Sequence, residues 1–171
     1  DVPSDGILAP VELGLAPSRS LERQAGGEEA AKATLRSFLS SRGQHYQSEM
    51  SSPLSAESAC SRLSSHIAYG AISIRTISQA LALRRQAYRG KRSAASGDGA
   101  GWSRSLASFD KRLHWHCHFI QKLESEPALE FENMASAYDG LREDAFDAER
   151  FDAWKAGLTG YPMVDACMRY L

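Results

Sequence analysis

The residues best equipped for chemistry lie in three places. His114-Trp115-His116-Cys117-His118 packs three imidazoles and a thiol into five positions. On a strand the three imidazoles would share a face and could bind zinc; on a helix His114 and His118 sit at i and i+4 with Cys117 beside them, while His116 points elsewhere. No carboxylate stands at the helical spacing a hydrolytic zinc site wants, and no second ligand pair follows downstream. Packed or hydrogen-bonded histidines are therefore the default, and a helical metal-binding or interaction module built on His114, Cys117 and His118 is the alternative. The second place is hydroxyl-rich: Tyr46, then Cys60-Ser61-Arg62-Leu63-Ser64-Ser65 opening a short helix that ends at Gly70. Short hydroxyls and unpaired N–H groups at a helix start make an anion site that Arg62 can neutralise, although serines there commonly serve only as caps. The third is Trp102, Phe109, Arg112, Trp115 and Phe119. Trp115 and Phe119 are i, i+4 neighbours offset from the leucine row, suited to a planar ligand or base, with core packing the blander reading.

A helix must carry the third group. Leu106, Phe109, Leu113, His116, Ile120 and Leu123 keep steps of three and four over about five turns, a period no strand follows, and Pro127 closes the run. Upstream, Ala31, Leu35, Phe38 and Leu39 mark a helix from Glu28 that ends near Gly43. Residues 43–60 read as a loop. A short helix stops at Gly70, Ser73 caps the next, and Ile74, Ile77 and Leu81 form its face before the basic stretch Arg84 to Arg92 and a small-residue loop, Ser93 to Gly101. That basic stretch reads as a solvated helix end. The acidic stretch 128–150 reads as loop, and the last helix opens at Pro162 with Asp165 in its first turn and Val164, Cys167 and Leu171 as its apolar row. No period-two alternation occurs, so the expected fold is all-α.

Composition limits the partners. The 171 residues carry a formal net charge of -1 with 43% hydrophobic and 24% charged residues, an ordinary globular profile with no gross pull toward nucleic acid. No apolar run reaches the roughly 18 residues of a membrane span, the first residues lack a secretory signal, and the chain reads as a cytoplasmic monomer. Three widely spaced cysteines, Cys60, Cys117 and Cys167, make no disulfide framework or CxxC motif. Residues 1–27, with three prolines and four glycines, read as a linker or arm.

In order along the chain, these pieces resemble the photolyase/cryptochrome flavoprotein family. Gly26-Gly27-Glu28-Glu29 into Leu35-Arg36-Ser37-Phe38-Leu39 is similar to the first helix of that family's flavin-binding domain. Ser61-Arg62-Leu63-Ser64 with Gly70-Ala71-Ile72-Ser73-Ile74-Arg75 resembles S-x-L-S…G-x-x-S-x-R, and Leu113 to Phe119 resembles L-x-W-R-x-F. Trp154 to Arg169 nearly matches W-x-x-G-x-T-G-Y-P-x-V-D-A-x-M-R. The resemblance implies a helical domain holding FAD, with light driving electron transfer from reduced flavin to pyrimidine dimers in DNA, or light signalling without repair, and an antenna chromophore on a domain outside this sequence. It places Tyr46, Cys60, Ser61, Arg62, Leu63, Ser64 and Phe109 at the FAD, and Arg112, Trp115, His116 and Phe119 at DNA or the lesion, with no metal. Four positions depart from the family pattern: Cys60 for Thr, Met50 for a basic residue, Arg112 for Glu and His116 for Arg. The resemblance also makes residues 28–171 a part of the FAD-binding domain, so that this stretch alone is expected to bind FAD weakly or not at all and to repair nothing.

Overall fold

A computed structural model describes residues 11–15, 24–91 and 99–170. Among these there are helices and turns and no strand, in agreement with the all-α expectation. By contacts the chain divides into two units, residues 1–118 and 119–171.

The first unit is organised by helix α1 (Glu28–Ser40), the short helices α2 (Tyr46–Glu49), α3 (Ala56–Ala59) and α4 (Ser64–Ala68), the long helix α5 (Ile74–Lys91), and helix α6 (Gly99–Ser125). Glu28 and Glu29 open α1 where the helix dipole favours negative charge, and Lys32 bridges to Glu28 at 2.8 Å. Its predicted face is the buried one: Ala31, Leu35, Phe38 and Leu39. They meet Leu63, Ile72, Ile77, Leu81, Trp102, Leu106, Phe109 and Leu113 in one apolar cluster. Ser73 caps α5 as predicted, its hydroxyl accepting the Thr76 N–H at 3.1 Å.

Several expectations need correction. Residues 43–60 are not a plain loop: a 3₁₀ turn (Arg42–His45) leads into α2, and α3 follows, elements of about one turn that are too short to leave a periodic signature. Of the loop expected at Ser93 to Gly101, residues 93–98 lie outside the described residues, and Gly99, Ala100 and Gly101 already belong to α6. The inward row of α6 is buried at Leu106, Phe109 and Leu113, whereas Ile120 and Leu123 are exposed. Trp102 is buried, tilted against Tyr88 at 5.6 Å, and the Arg84 guanidinium lies 4.7 Å from the Tyr88 ring and 4.8 Å from the Trp102 ring. The basic stretch is thus not simply a solvated helix end: Arg84 packs on two aromatic faces, and Arg85 bonds Asp110 at 2.6 Å.

Gly43 shows how closely the first unit is packed. A Cβ there would fall 2.7 Å from the Phe38 carbonyl oxygen and 2.8 Å from the Phe38 ring, so only glycine fits.

The second unit contains 3₁₀ turns at Pro127–Glu130, Ser136–Tyr138 and Glu143–Ala145, then helices α7 (Ala148–Lys155) and α8 (Pro162–Tyr170). Helix α7 was not foreseen; Asp147 caps it by accepting the Arg150 N–H at 3.1 Å. Pro162 takes the first position of α8 as expected. The apolar row assigned to α8 is not its buried side: Val164 and Cys167 are exposed and Leu171 lies outside the described residues. Asp165 is the buried residue of that helix. Its carboxylate accepts from the Thr159 N–H at 2.8 Å, the Thr159 hydroxyl at 2.6 Å and the Gly160 N–H at 3.0 Å. These bonds, the Thr159 hydroxyl foremost, hold its pKa below the ordinary 3.8. Arg169 donates twice to the Gly157 carbonyl, at 3.0 and 2.6 Å, and Gly157 has φ +64° with no room for a Cβ. The long motif from Trp154 to Arg169 is therefore, in its polar members, a knot that joins the turn before α8 to the helix itself.

Candidate functional site

Tyr46 begins α2 and is buried with its ring edge-on to Phe38 at 5.5 Å and to Phe109 at 5.8 Å; Phe38 and Phe109 are 4.7 Å apart. The Arg112 guanidinium lies close enough to the Tyr46 hydroxyl to act on it electrostatically. Burial raises the Tyr46 pKa, and the nearby Cys60 sulfur adds to the rise while Arg112 opposes it, so the phenol stays protonated at neutral pH. The structure thereby brings together Tyr46, Phe109 and Cys60, assigned to the cofactor, and Arg112, assigned to DNA.

The turn bearing Tyr46 is fixed by a residue the sequence did not single out. Ser105 of α6 is buried, donates to the Gln44 carbonyl at 2.8 Å and accepts the Gln47 N–H at 3.2 Å. A small polar residue between Trp102 and Leu106 on an inward face is the only sequence sign of this.

The stretch Cys60-Ser61-Arg62-Leu63 is an irregular connection that runs into α4 at Ser64. Leu63 is buried in the core, Cys60, Ser61 and Arg62 are half-buried, and Ser64 is exposed. The Cys60 Sγ lies 3.9 Å from the Met50 carbonyl oxygen, and burial raises its thiol pKa, which keeps it neutral. Arg62 adopts φ +60°, a left-handed backbone that is rare outside glycine, asparagine and aspartate, and its guanidinium stands 3.7 Å from Glu57. A second residue missed in the sequence, Arg42, reaches this stretch: its guanidinium donates to the Cys60 carbonyl at 2.6 Å and the Ser61 carbonyl at 3.3 Å. The half-buried Arg62 guanidinium, two serine hydroxyls and the N–H groups that α4 leaves without intrahelical acceptors form a donor set that fits a dianionic phosphate ester such as the diphosphate of FAD. Leu63, Tyr46 and Phe109 contribute apolar surface beside it, chiefly as members of the core.

Beyond Arg112, the outer side of α6 and the adjoining α2 line a cavity of about 630 Å³. Gln47, Met50, Ser108 and Trp115 line it together with three cations, Arg104, Lys111 and Arg112, and no carboxylate is among its lining residues. Arg104, Ser108, Lys111 and Trp115 follow steps of four and three, so one helix face presents them all. The core-packing reading of Trp115 is wrong: the ring is 56% exposed, at 6.4 Å and edge-on to His118. Sequence reasoning found Arg112 and Trp115 here and missed Arg104 and Lys111, whose spacing was the available signal. His116 is exposed on the same helix, and Phe119, also exposed, lies in the second unit. His114 Nδ1 is 2.9 Å from the Asp110 carbonyl oxygen, and among the described residues no three histidine, cysteine or acidic side chains converge as a metal site would require. Among them, too, no helix is long and apolar enough to cross a membrane.

The chain matches a family described as the FAD binding domain of DNA photolyase over residues 109–171. It is 35% identical to the deoxyribodipyrimidine photo-lyase of Halobacterium salinarum over 160 residues, covering 94% of this chain and 31% of that protein. The photo-lyase of Streptomyces griseus is 33% identical over 85% of the chain and 27% of its own length, and the cryptochrome DASH of Idiomarina loihiensis 31% identical over 85% and 30%. The chain thus spans about a third of the length of these relatives. No solved structure matches it. With 94% of the chain aligned to one photo-lyase and a family match that begins at the buried Phe109, the chain belongs to the photolyase/cryptochrome family, and FAD is its cofactor.

Proposed function

We propose that the protein containing this chain repairs pyrimidine dimers in DNA by light-driven electron donation from reduced FAD, and that residues 28–171 contribute to the flavin-binding domain, with 1–27 as the arm leading into it. Tyr46, Cys60, Ser61, Arg62, Leu63, Ser64 and Phe109 hold FAD, the serine hydroxyls and Arg62 at its phosphates. Arg112, Trp115, His116 and Phe119 meet the DNA. The chemistry FAD supplies when bound is the donated electron; what this chain's residues do is bind, neutralise and orient.

The observation that carries this reading is the cationic cavity, lined by Arg104, Lys111 and Arg112, with an exposed tryptophan at its edge. An unstacked base offers a π-face to Trp115, and the phosphates flanking it find Arg104, Lys111 and Arg112 at the cavity wall. Electron transfer needs the extruded bases close to the flavin, and the nearness of Arg112 to Tyr46 supports setting the two parts of the site side by side.

The test is direct. The full-length protein, with its flavin reduced, is mixed with an oligonucleotide carrying cyclobutane dimers, and dimer content is followed under blue light and in the dark. Light-dependent loss supports repair. No loss, with a bound and photoreducible flavin, supports the second reading, a blue-light receptor of the same family. The match to a cryptochrome DASH favours that alternative over any outside the family.

A further inference from the structure

We infer that Arg42 is a positioning residue for the cofactor's phosphates, holding the Cys60–Ser64 stretch in a strained shape that it would not keep alone. The inference rests on the reading of that stretch as the phosphate side of the FAD site.

Among the described residues the Arg42 guanidinium donates its hydrogen bonds only to backbone carbonyls and one hydroxyl, with the Phe38 ring 6.0 Å from its centre. On one side it grips α1, with Nε donating to the Ser37 hydroxyl at 3.0 Å and Nη2 to the Thr34 carbonyl at 3.3 Å. On the other it grips the incoming stretch, with Nη1 donating to the Ser58 carbonyl at 3.3 Å and the Cys60 carbonyl at 2.6 Å, and Nη2 to the Ser61 carbonyl at 3.3 Å. A planar guanidinium with five donors can bridge two segments in this way; an ammonium cannot. The guanidinium is half-buried, and burial, followed by the nearby Arg62 charge, lowers its pKa.

The bridge ends at the point of strain. Immediately after Ser61, Arg62 sits at φ +60°, a left-handed backbone that such a residue keeps only where its surroundings impose it. From the far side Gln24 closes the arrangement: its amide nitrogen donates to the Arg62 carbonyl at 2.9 Å and its oxygen accepts the Ser65 hydroxyl at 3.1 Å. With the carbonyls of Cys60, Ser61 and Arg62 all engaged by these two side chains, the peptide planes of the stretch are fixed. Fixed carbonyls on one side fix the N–H groups on the other, and donors set before the ligand arrives bind it without an ordering cost.

Arg42→Ala and Arg42→Lys in the full-length protein, with Gln24→Ala as a variant that releases the same stretch without touching α1, provide the test. Affinities are measured for FAD and for riboflavin, which lacks phosphate, and amide exchange is followed over residues 61–66. All three variants are expected to bind FAD about tenfold more weakly, the lower end of the loss found when residues orienting a metal's ligands are removed. Riboflavin affinity is expected to stay the same, and the 61–66 amides to exchange faster. Equal losses for FAD and riboflavin, unchanged FAD affinity, or full rescue by lysine would overturn the role of Arg42. A wild-type protein that binds no FAD would instead overturn the cofactor reading itself, and this assignment with it.

Discussion

Phe109 lies where the core of the first unit and the proposed flavin site coincide, so truncating it gives a sharp test of the packing described above. The ring is buried, 4.7 Å from Phe38 and 5.8 Å from Tyr46 in edge-on geometry. Phe109→Ala removes the buried ring and leaves a cavity, at a cost of about 3–5 kcal/mol. The upper half of that range is expected, because two edge-to-face contacts disappear and Phe38, pressed against Gly43, has little room to move into the gap. Against a typical stability of about 5–15 kcal/mol this is a large fraction. With a urea slope of roughly 2 kcal/mol per molar, the unfolding midpoint should fall by about 2 M. Phe109→Leu keeps the site apolar and most of its volume filled, and should cost about 1 kcal/mol. Circular dichroism of the helical signal during urea titration reads both. If alanine shifts the midpoint by less than about 0.5 M, or if alanine and leucine behave alike, the three-ring cluster does not hold the unit together.

The other predictions test separate parts of the molecule. Ser105→Ala leaves the Gln44 carbonyl and the Gln47 N–H without their shared partner and should cost about 1–2 kcal/mol, since both lie near enough to solvent to be partly rehydrated; a calorimetric melt that does not move would contradict this. Trp115→Ala should weaken binding to dimer-containing DNA by about 1–3 kcal/mol per stacked base while leaving undamaged DNA nearly unaffected, and fluorescence anisotropy showing equal losses on both would exclude stacking. For Asp165 the folded pKa is depressed, so its stabilisation of the turn before α8 is complete above pH 3.8 and is lost as pH falls through the lower folded value; the Thr159 and Gly160 amide resonances in an NMR pH titration should stay put through pH 4 and shift only below it.

Much of the helical frame was legible because it rests on period. The α1 face, the start of α5 at Ser73 and the buried half of α6 all follow from apolar spacing or a capping residue, and each is where the residues predict. Period says nothing about where a row stops being buried, which is why Ile120 and Leu123 were misjudged, and it cannot register helices of a single turn such as α2 and α3. Nothing in the sequence pairs Trp102 with its cover, Arg84 and Tyr88, because they come from another helix. The same limit hides Arg42, Ser105 and Gln24: their partners are long-range carbonyls and amides, and a polar side chain with a backbone partner leaves no pattern in sequence. Conversely, the motif from Trp154 to Arg169 is the most recognisable run in the chain, yet its Asp165, Arg169 and Gly157 secure a local turn rather than a reactive group. Recognisability and chemistry need not reside in the same residues.

The three tryptophans occupy different surroundings: Trp102 is 3% exposed beneath a guanidinium, Trp115 is 56% exposed and Trp154 is 44% exposed. The protein therefore carries its own optical labels. Acrylamide should quench Trp115 and Trp154 readily and leave a blue-shifted remainder from Trp102, so that loss of this protected fraction reports loosening at the α5–α6 contact without any dye or mutation.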